Sequence, residues 1–402
     1  MIPGEDAFFK KAVSLKFAGR TLRFRVSQSL FSSHDVDAGT RLLLQSLLGA
    51  RIGERPQVLD VGCGYGPIGI ALKALLPLAR VELTDRDALA LSYARQNAAL
   101  NEREGVEAYA SLGYDDVRQQ AYDLVVLNLP GKAGERVIRH LVMGAVARLA
   151  PGGRAAFVMV SPLTRMVAQT LREDPAVRVV HEEARRSHSV AHVAVDGALR
   201  DVEPARGFEA GVYDRATALV PAAGRSLELR TVFGLPEFDT PSFATQLLVE
   251  DATALLRAGS SVRHAVMLEP GQGHAAVLVQ ALARPERMTL AGRDLLSLRC
   301  ARRNLLLNGA AATSVALDHG VRFAPARSEQ AELIVGVLRE DDGVDAHAQA
   351  LRSAAEALPA GGVMLIAASS TAAVRAAKRL AGERRVRERR RRKGAVTLII
   401  EG

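Results

Sequence analysis

At 402 residues the chain exceeds the usual size of one hydrophobic core, which predicts two domains of about 150–200 residues each. A composition of 48% hydrophobic and 24% charged residues is typical of a globular protein, and no apolar stretch approaches the ~18 residues of a membrane span. The net charge of +9 admits an anionic partner, but an aromatic content of 4% without tryptophan argues against serial base stacking on single strands.

The N-terminus, MIPGEDAFFKKAVSLKF, has acids at Glu5 and Asp6 and no long apolar core, so we do not expect a signal peptide. The two cysteines, Cys63 and Cys300, are expected in equivalent buried parts of different domains and are not expected to pair. This cysteine usage fits a reducing cytoplasm and offers no metal site.

Short apolar runs alternate with amphipathic stretches in the first half of the chain. The runs predict buried parallel strands, and apolar residues spaced three and four apart predict helices. This alternation predicts a doubly wound α/β sheet, and residues 177–195 predict a closing pair of strands. The predicted order is strand QVLDVG (57–62), helix PIGIALKALLP (67–77), strand RVELTD (80–85), helix ALALSYARQNAALN (88–101), strand YDLVVLN (122–128), helix ERVIRHLVMGAVARLA (135–150) and strand GRAAFVMV (153–160).

The second half of the chain repeats the first. DRDALALSYARQNAALN (85–101) aligns with GRDLLSLRCARRNLLLN (292–308), with nine of seventeen positions identical. QVLDVGCGYG (57–66) aligns with AVMLEPGQGHA (265–275), and the lead-ins AGRTLRFR (18–25) and AGRSLELR (223–230) also match. The repeat predicts two domains of one fold, residues 1–200 and 201–402, joined near 198–217, each with a mostly parallel sheet that ends in an antiparallel strand pair.

A basic run near the end of the chain, ERRVRERRRRK (383–393), holds eight bases and two acids. Such a run predicts contacts to phosphate, and a solvated turn is the alternative. We expect it between the last two strands of the second domain.

The stretch VLDVGCGYG (58–66) predicts a strand followed by a tight turn, with Pro67 at the first position of a helix. Glycines allow such a turn and let a ligand approach main-chain atoms. Asp85 ends the next strand, where its carboxylate can accept both hydrogen bonds of a ribose diol. A glycine loop alone can be a mere strand–helix connection, but with Asp60 and Asp85 it indicates an adenosine-type ligand.

The loop has the form G-x-G-x-G with an acid two residues before it, and in this it resembles the class I S-adenosylmethionine-dependent methyltransferases, which have Rossmann-like domains. The resemblance implies that the loop lies against the methionine end of the cofactor and that Asp85 holds the ribose. Tyr65 either lines the pocket or only packs on the sheet. The residues implied around the cofactor are Asp60, Gly62, Cys63, Gly64, Tyr65, Gly66 and Asp85, with Ser111 and Leu112 at the adenine.

The lead-in LFSSHDVDAGTRLLLQSLL (30–48) and the tandem architecture resemble the small-domain methyltransferases that act on guanine N2 of bacterial ribosomal RNA. Those enzymes also carry two copies, one of them degenerate. The resemblance implies ribosomal RNA or a ribosomal subunit as partner, with no membrane and no metal. The implied substrate contacts are Phe31, Ser32, Asp37, Arg389, Arg390, Arg391 and Arg392; Phe31 is alternatively a core residue, and His34 is expected on the surface.

Amine-methylating members of that family carry Asn-Pro-Pro and an aromatic residue after the fourth strand. Here the stretch reads NLPGKAG, so Asn128 and Pro130 are retained, whereas Leu129 and Gly131 replace the other two positions. The resemblance implies catalysis by Asn128 and Pro130 without the stacking ring, unless Phe31 supplies it. A strand-end cap is the alternative role for Asn128.

The second copy lacks most of these groups. In the sequence alignment Glu269 replaces Asp60, Ala275 replaces the third glycine, Gly292 replaces Asp85 and Val337 replaces Asn128. We therefore expect the second domain to serve as scaffold or substrate platform, whereas tandem relatives usually keep the working site in the second copy. Two other functions stay open: methylation of a small molecule or protein side chain, and a non-catalytic module that binds S-adenosylmethionine or RNA.

Overall fold

The computed structural model describes residues 6–195, 206–222, 225–256, 262–323, 330–368, 371–380 and 385–402. It divides into two compact units, one of Phe9–Tyr213 and the other of Met1–Phe8 with Asp214–Gly402. The predicted domain boundary at residues 200 and 201, and with it the first part of the predicted linker, lies outside the described residues.

The first unit begins with an antiparallel hairpin that the sequence analysis did not predict. Strand β1 (Phe9–Phe17) pairs with β2 (Arg20–Ser27). Ala18 and Gly19 form the turn with φ of 48° and 72°. Burial alternates along both strands, so that one side of the hairpin is apolar and buried and the other is exposed.

A seven-stranded sheet forms the body of the first unit within the described residues, in the spatial order β5-β4-β3-β6-β7-β9-β8. Neighbouring strands among the first five in this order pair in parallel. Strand β9 pairs antiparallel with both β7 and β8. The predicted mostly parallel sheet with a closing antiparallel pair is confirmed. The strands are β3 (Gln57–Val61), β4 (Arg80–Asp85), β5 (Val106–Ala110), β6 (Tyr122–Asn128), β7 (Leu149–Val160), β8 (Val177–Ala184) and β9 (His188–Val195).

Helices between the strands cover the sheet and bury its apolar side chains. Gly69 lets its helix pack closely against β4, because a Cβ built there would lie 2.2 Å from Leu83 Cδ2. Core side chains such as Leu59, Leu72 and Phe157 are fully buried. The helices are α1 (Ala38–Leu47), α2 (Pro67–Leu75), α3 (Ala88–Leu100), α4 (Glu135–Val146) and α5 (Thr164–Arg172), with a 3₁₀ turn at Ser161–Leu163.

The second unit repeats this architecture. Its hairpin, β10 (Asp214–Ala222) with β11 (Arg225–Val232), precedes a sheet ordered β14-β13-β12-β15-β16-β18-β17. The strands are β12 (His264–Leu268), β13 (Arg287–Gly292), β14 (Val315–His319), β15 (Leu333–Val337), β16 (Val363–Ala368), β17 (Arg385–Arg392) and β18 (Ala395–Glu401). The helices are α6 (Phe243–Leu256), α7 (His274–Ala283), α8 (Leu295–Leu307), α9 (Val344–Ala355) and α10 (Thr371–Leu380), with a 3₁₀ turn at Ala312–Ser314.

Two expectations need correction. The arginine run does not connect the last two strands; it forms the edge strand β17 itself, and the connection is the turn at Lys393 and Gly394, with φ of 48° and 80°. The cysteines are both free and buried, but they are not at equivalent places: Cys63 lies in the turn after β3, and Cys300 lies within α8.

None of the helices in the described ranges combines the length and the apolar character needed to cross a lipid bilayer.

Candidate active site

The strand order of the first unit reverses between β3 and β6, because β3 lies between β4 on one side and β6 on the other. In open α/β sheets, ligands bind at such a point, beyond the carboxyl ends of the strands. The glycine turn, Asp85 and Asn128 follow or end these three strands, so the topology brings the predicted site residues to one edge of the sheet.

The glycine turn is fastened to the end of β4. The backbone amides of Gly62 and Cys63 both donate to Thr84 O, at 2.8 and 2.9 Å. Gly62, Gly64 and Gly66 have φ of 70°, 56° and 89°, which favours glycine at each position. A Cβ at Gly62 or Gly64 would meet no atom within 4 Å, so the turn borders open space that a ligand can enter.

Asp85 is joined directly to this turn. Its Oδ2 accepts a hydrogen bond from Gly64 N at 2.9 Å, and its Oδ1 accepts one from Asp87 N at 2.9 Å. Burial raises the pKa of Asp85 to about 6. Each carboxylate oxygen can accept more than one hydrogen bond, so these contacts orient Asp85 and leave it able to receive a diol.

Asp60 lies inside β3 and is fully buried. Its Oδ2 accepts from Gly69 N at 2.8 Å, while its Oδ1 has no hydrogen-bond partner among the described residues. Burial raises the pKa of Asp60 to about 7. A buried carboxylate with one unsatisfied oxygen favours a cationic hydrogen-bond donor nearby, and the α-ammonium group of S-adenosylmethionine fits that requirement.

Two further cofactor predictions concern side chains that are buried. Tyr65 packs its ring edge-to-face on Phe24 of β2, with the centroids 5.9 Å apart. Ser111 and Leu112 follow β5 beside Asp85, since Ser111 N donates to Asp85 O at 3.1 Å. Their contacts to an adenine stay a prediction, as does a role for Tyr65 in lining the pocket.

Asn128 ends β6 and is held by the start of α1. Its Nδ2 donates to Asp37 Oδ2 at 3.3 Å and to Thr40 Oγ1 at 3.5 Å. Asp37 also caps α1 by accepting from Thr40 N at 3.1 Å. Because both contacts use the amide nitrogen, they leave Asn128 Oδ1 as an acceptor for another group.

The residues after Asn128 differ from the expected pair of prolines and a ring. Leu129 is buried and donates its amide to Val158 O at 2.8 Å, whereas Pro130 is exposed. A Cβ at Gly131 would lie 3.3 Å from Val160 Cγ2, so an aromatic side chain there would require Val160 to move.

The loop before α1 exposes Phe31. Its side chain is 77% exposed, so the alternative role of Phe31 as a core residue is wrong. The next residue, Ser32, has φ of 59°, a left-handed conformation, and its hydroxyl donates to Asp35 O. His34 is also exposed, and its Nε2 lies 3.1 Å from Lys10 Nζ of β1.

The arginines of β17, predicted as phosphate contacts, are already paired with acids in the second unit. Arg389 contacts the buried Asp251 at 3.1 Å, and Arg391 contacts Glu388 at 2.7 Å. Arg390 and Arg392 both contact Glu250, at 2.9 and 3.0 Å. This pairing reduces the positive charge that the run offers to a phosphate.

In the second unit, the strand register corrects the alignment of the glycine turn. Gln57 opposes Arg80 in the first sheet, and His264 opposes Arg287 in the second, so Gln57 and His264 hold the same position. Gly62 and Glu269 each follow these residues by five positions, and Glu269 therefore corresponds to Gly62 rather than to Asp60. Met267 therefore stands in place of Asp60, and the third glycine is retained as Gly273, with φ of 96°. Glu269 itself has φ of 46°. The sequence alignment paired the two acids and thereby shifted the turn by two residues.

The Glu269 side chain fills the position that Asp85 occupies in the first unit. Gly292 stands there, and a Cβ built on Gly292 would lie 3.3 Å from Glu269 Oε1. The Glu269 carboxylate accepts from Arg293 N at 3.0 Å and pairs with Arg339 at 3.6 Å. Val337 ends β15 where Asn128 ends β6, as predicted.

Asn97 of α3, which was not among the residues predicted from the sequence, ties three elements together. Asn97 Oδ1 accepts from Arg25 N at 2.7 Å, and its Nδ2 donates to Arg25 O at 3.1 Å and to Tyr65 O at 2.9 Å. Asn304 of α8 makes the matching contacts in the second unit, to Arg230 and Gln272. The signal was present, since both asparagines are among the letters that the two copies share.

No cluster of three or more histidine, cysteine, aspartate or glutamate side chains suited to a metal ion occurs in the part of the chain that the structure describes.

Comparison with known proteins places the first unit in a family. The methyltransferase small domain model matches residues 21–185. Ribosomal RNA small subunit methyltransferase C of Hahella chejuensis is 40% identical over 144 residues, 34% of this chain and 40% of that protein. The same-named protein of Haemophilus influenzae is 35% identical over 133 residues, 32% of this chain and 39% of that protein. The chain thus spans about two fifths of the length of these relatives.

A shorter relative is covered more fully, and one solved structure matches both units. Bacillus subtilis YbxB is 30% identical over 149 residues, 36% of this chain and 71% of that protein. The T. thermophilus 16S rRNA N2 methyltransferase RsmC, solved with AdoMet and guanosine, shares the fold with a TM-score of 0.68 at 17% identity, over 97% of this chain and 98% of that chain. The family model and the extent of the match to YbxB show that the chain belongs to the methyltransferase small domain family.

Proposed function

We propose that the chain transfers a methyl group from S-adenosylmethionine to a base amine of ribosomal RNA, with guanine N2 as the favoured target. The observation that carries this proposal is the placement of Asn128. Its amide nitrogen is held by Asp37 and Thr40, and its strand ends beside the glycine turn and Asp85.

The cofactor would be held by the first unit. The open turn at Gly62–Gly66 and the unsatisfied oxygen of Asp60 suit the methionine end, and Asp85 suits the ribose. Ser111 and Leu112 are the residues proposed for the adenine. When bound, S-adenosylmethionine would supply an electrophilic methyl group and, with its sulfur–methyl bond broken, would leave as S-adenosylhomocysteine, so the protein need not generate a methyl donor.

The protein contributes mainly orientation to the reaction. Asn128 Oδ1 accepts a hydrogen bond from the target amine, and a backbone carbonyl of the following Leu129–Pro130 segment accepts the second one. These contacts aim the nitrogen lone pair at the methyl group, and positioning of this kind accounts for a large part of catalysis in group transfer. A strong general base is not required, because the amine loses its proton after methyl transfer.

Phe31 is the proposed stacking surface for the target base. The family ring position is Gly131, whereas Phe31 exposes its ring at the loop that leads to Asp37. Stacking of a base on an aromatic side chain contributes about 1–3 kcal/mol, so Phe31 would compensate for the ring that the catalytic motif lacks.

The names of the relatives support ribosomal RNA as the substrate, and with it a ribosomal subunit as partner and a cytoplasmic location. A methyltransferase for a small molecule or a protein side chain is the second candidate. The acid-paired arginines of β17 and the absence of a ring at Gly131 favour that alternative.

The test is transfer of radiolabelled methyl to ribosomal subunits, naked ribosomal RNA and transfer RNA from cells that lack this protein. We expect label as N2-methylguanosine in ribosomal RNA. Asn128→Ala should lower kcat by about 100-fold or more while the affinity for S-adenosylmethionine changes less than about threefold, because the lost contact acts in the transition state. Absence of label in every RNA, with cofactor still bound, would overturn RNA methylation.

Asp37→Ser separates positioning from helix capping in the same assay. Serine also caps helices well, but it is too short to reach Asn128. We expect kcat to fall about tenfold with KM unchanged and with the melting temperature within a few degrees of wild type. An unchanged kcat would remove Asp37 from the proposed machinery.

A further inference from the structure

The β1–β2 hairpin, residues 9–27, is the most basic exposed element of the first unit. It contains six bases and no acid: Lys10, Lys11, Lys16, Arg20, Arg23 and Arg25. Five of the six are exposed and Arg25 is half-buried. Most apolar side chains of the same strands are buried, so the hairpin presents a positively charged surface on a two-stranded scaffold.

Five of the six bases, Lys10, Lys11, Lys16, Arg20 and Arg23, are not paired with an acid within the described residues. Lys11, Lys16, Arg20 and Arg23 form no ion pair there, and Lys10 Nζ contacts Ser33 Oγ at 3.2 Å and His34 Nε2 at 3.1 Å instead. This differs from β17, whose arginines contact Glu250, Asp251 and Glu388. Unpaired charges that share one element attract polyanions more strongly than charges already paired with acids.

The second unit supplies an internal comparison. Its hairpin, residues 214–232, has the same antiparallel form but contains three bases and two acids. Charged side chains of this hairpin are paired with opposite charges within the described residues. Arg230 contacts Glu228 at 3.3 Å, Arg215 contacts Asp239 at 2.8 Å, and Asp214 contacts Arg303 at 2.6 Å. The fold therefore does not require six bases, and their presence in the first copy calls for a reason outside packing.

The hairpin is anchored to the candidate active site by two sets of contacts. Asn97 joins the backbone of Arg25 to Tyr65 O in the glycine turn, and Lys10 contacts the loop that exposes Phe31. The Arg25 guanidinium also lies 4.1 Å from the centre of the Phe9 ring, which is 42% exposed. An RNA strand bound along the hairpin would thus pass close to the glycine turn and to Phe31.

We propose that the β1–β2 hairpin is the docking surface for the phosphate backbone of the RNA and that it presents the target nucleotide to the site. This inference rests on the proposed function and names the element that holds its substrate. Lysine and arginine contacts to phosphate supply affinity and register but no choice of base. The arginine run of β17 is accordingly not the main phosphate contact.

The experiment measures binding to naked 16S ribosomal RNA across a series of KCl concentrations. The test variant replaces Lys11, Lys16, Arg20 and Arg23 with Gln. The control variant replaces Arg51, Arg55, Arg165 and Arg172, four exposed arginines elsewhere in the same unit, with Gln and changes the net charge equally. We expect the test variant to bind about 30-fold more weakly at 100 mM KCl, with a log–log salt slope smaller by up to about 3, since each single-strand phosphate contact contributes about 0.7.

The control should change affinity less than about threefold, and both variants should keep their affinity for S-adenosylmethionine. An equal loss in both variants would show a general charge effect and overturn the proposal, as would wild-type binding by the test variant. Hairpin-dependent binding of phosphatidylglycerol vesicles but not RNA would overturn it too. RNA held by the hairpin without any methyl transfer would overturn the proposed function alone.

Discussion

Asp60 and Asp85 are buried carboxyls whose pKa values, about 7 and about 6, lie well above the ordinary 3.8. A raised pKa means that the folded protein binds protons more tightly than the unfolded chain. The contribution of these groups to the free energy of unfolding therefore falls as pH rises from about 4 to about 7. A cationic ligand reverses this preference, because it favours the ionised carboxylate.

This coupling predicts pH-dependent cofactor binding. Because the pKa of Asp60 is about 7, its ionised fraction rises from about 3% at pH 5.5 to about 90% at pH 8, and the affinity for S-adenosylmethionine should rise about 30-fold over that range. Binding should release protons, which isothermal titration calorimetry in buffers of different ionisation enthalpy measures. Asp60→Asn should weaken binding at pH 8 and flatten the profile, whereas a profile unchanged by Asp60→Asn would show that Asp60 does not face the cofactor.

The glycine positions and Asp85 could be predicted from the sequence because turn geometry and strand ends have local signatures. The role of Glu269 could not. It is acidic like Asp60 in the other copy, and only the strand register shows that it stands at the position of Gly62. Likewise, nothing in the sequence marks the left-handed conformation of Ser32 or the exposure of Phe31 beside it.

At the scale of elements, two asparagines, one within α3 and one that caps its C-terminus, act as a substitute strand edge for β2. Asn97 and Asn101, one helical turn apart, exchange hydrogen bonds with the backbones of Arg25 and Arg23. The hairpin is thereby fixed to α3 without a third strand. Asn304 and Asn308 do the same for β11 in the second unit.

Asn97→Ala should destabilise this junction by about 2–4 kcal/mol, because it leaves two backbone groups of Arg25 and the carbonyl of Tyr65 without partners in a buried place. Hydrogen exchange of residues 9–27, measured by mass spectrometry, should accelerate accordingly. Asn101→Ala is the matched control at a less buried position and should cost about 1 kcal/mol. Equal effects of the two substitutions would contradict the special role given to Asn97.

The elements that the sequence predicted are those with a clear apolar pattern. Strands β3, β4, β6 and β7 are short buried runs in a parallel sheet, and such runs are recognisable without knowledge of the fold. The β1–β2 hairpin alternates Val13, Leu15 and Phe17 with the polar Ser14 and Lys16, but this alternation is short and was not recognised as a strand. Strand β17 has no alternation of apolar and polar residues. Its position in the sheet is fixed by its pairing with β18.

At the scale of the whole molecule, the chain holds two copies of one fold, but only the first has a carboxylate at the end of the strand that follows its glycine turn, since Gly292 stands where Asp85 stands. In the second copy Glu269 occupies the space of the missing acid, and burial raises its pKa even though Arg339 and Arg293 lie nearby. Removing Glu269 alone would not recreate a cofactor site, because Gly292 carries no carboxylate to hold a ribose.

The two copies therefore predict one molecule of S-adenosylmethionine per chain. Calorimetric titration should give a stoichiometry of about one for the full protein. Asp85→Ala should weaken binding by about 100-fold or more, because two hydrogen bonds from the ribose to a charged acceptor are lost at about 1.5–3 kcal/mol each. Glu269→Gln, the matched substitution in the second copy, should leave both affinity and stoichiometry unchanged. A second binding event that survives Asp85→Ala would show that the second copy still takes a nucleoside ligand, and its sensitivity to Glu269→Gln would then locate that ligand.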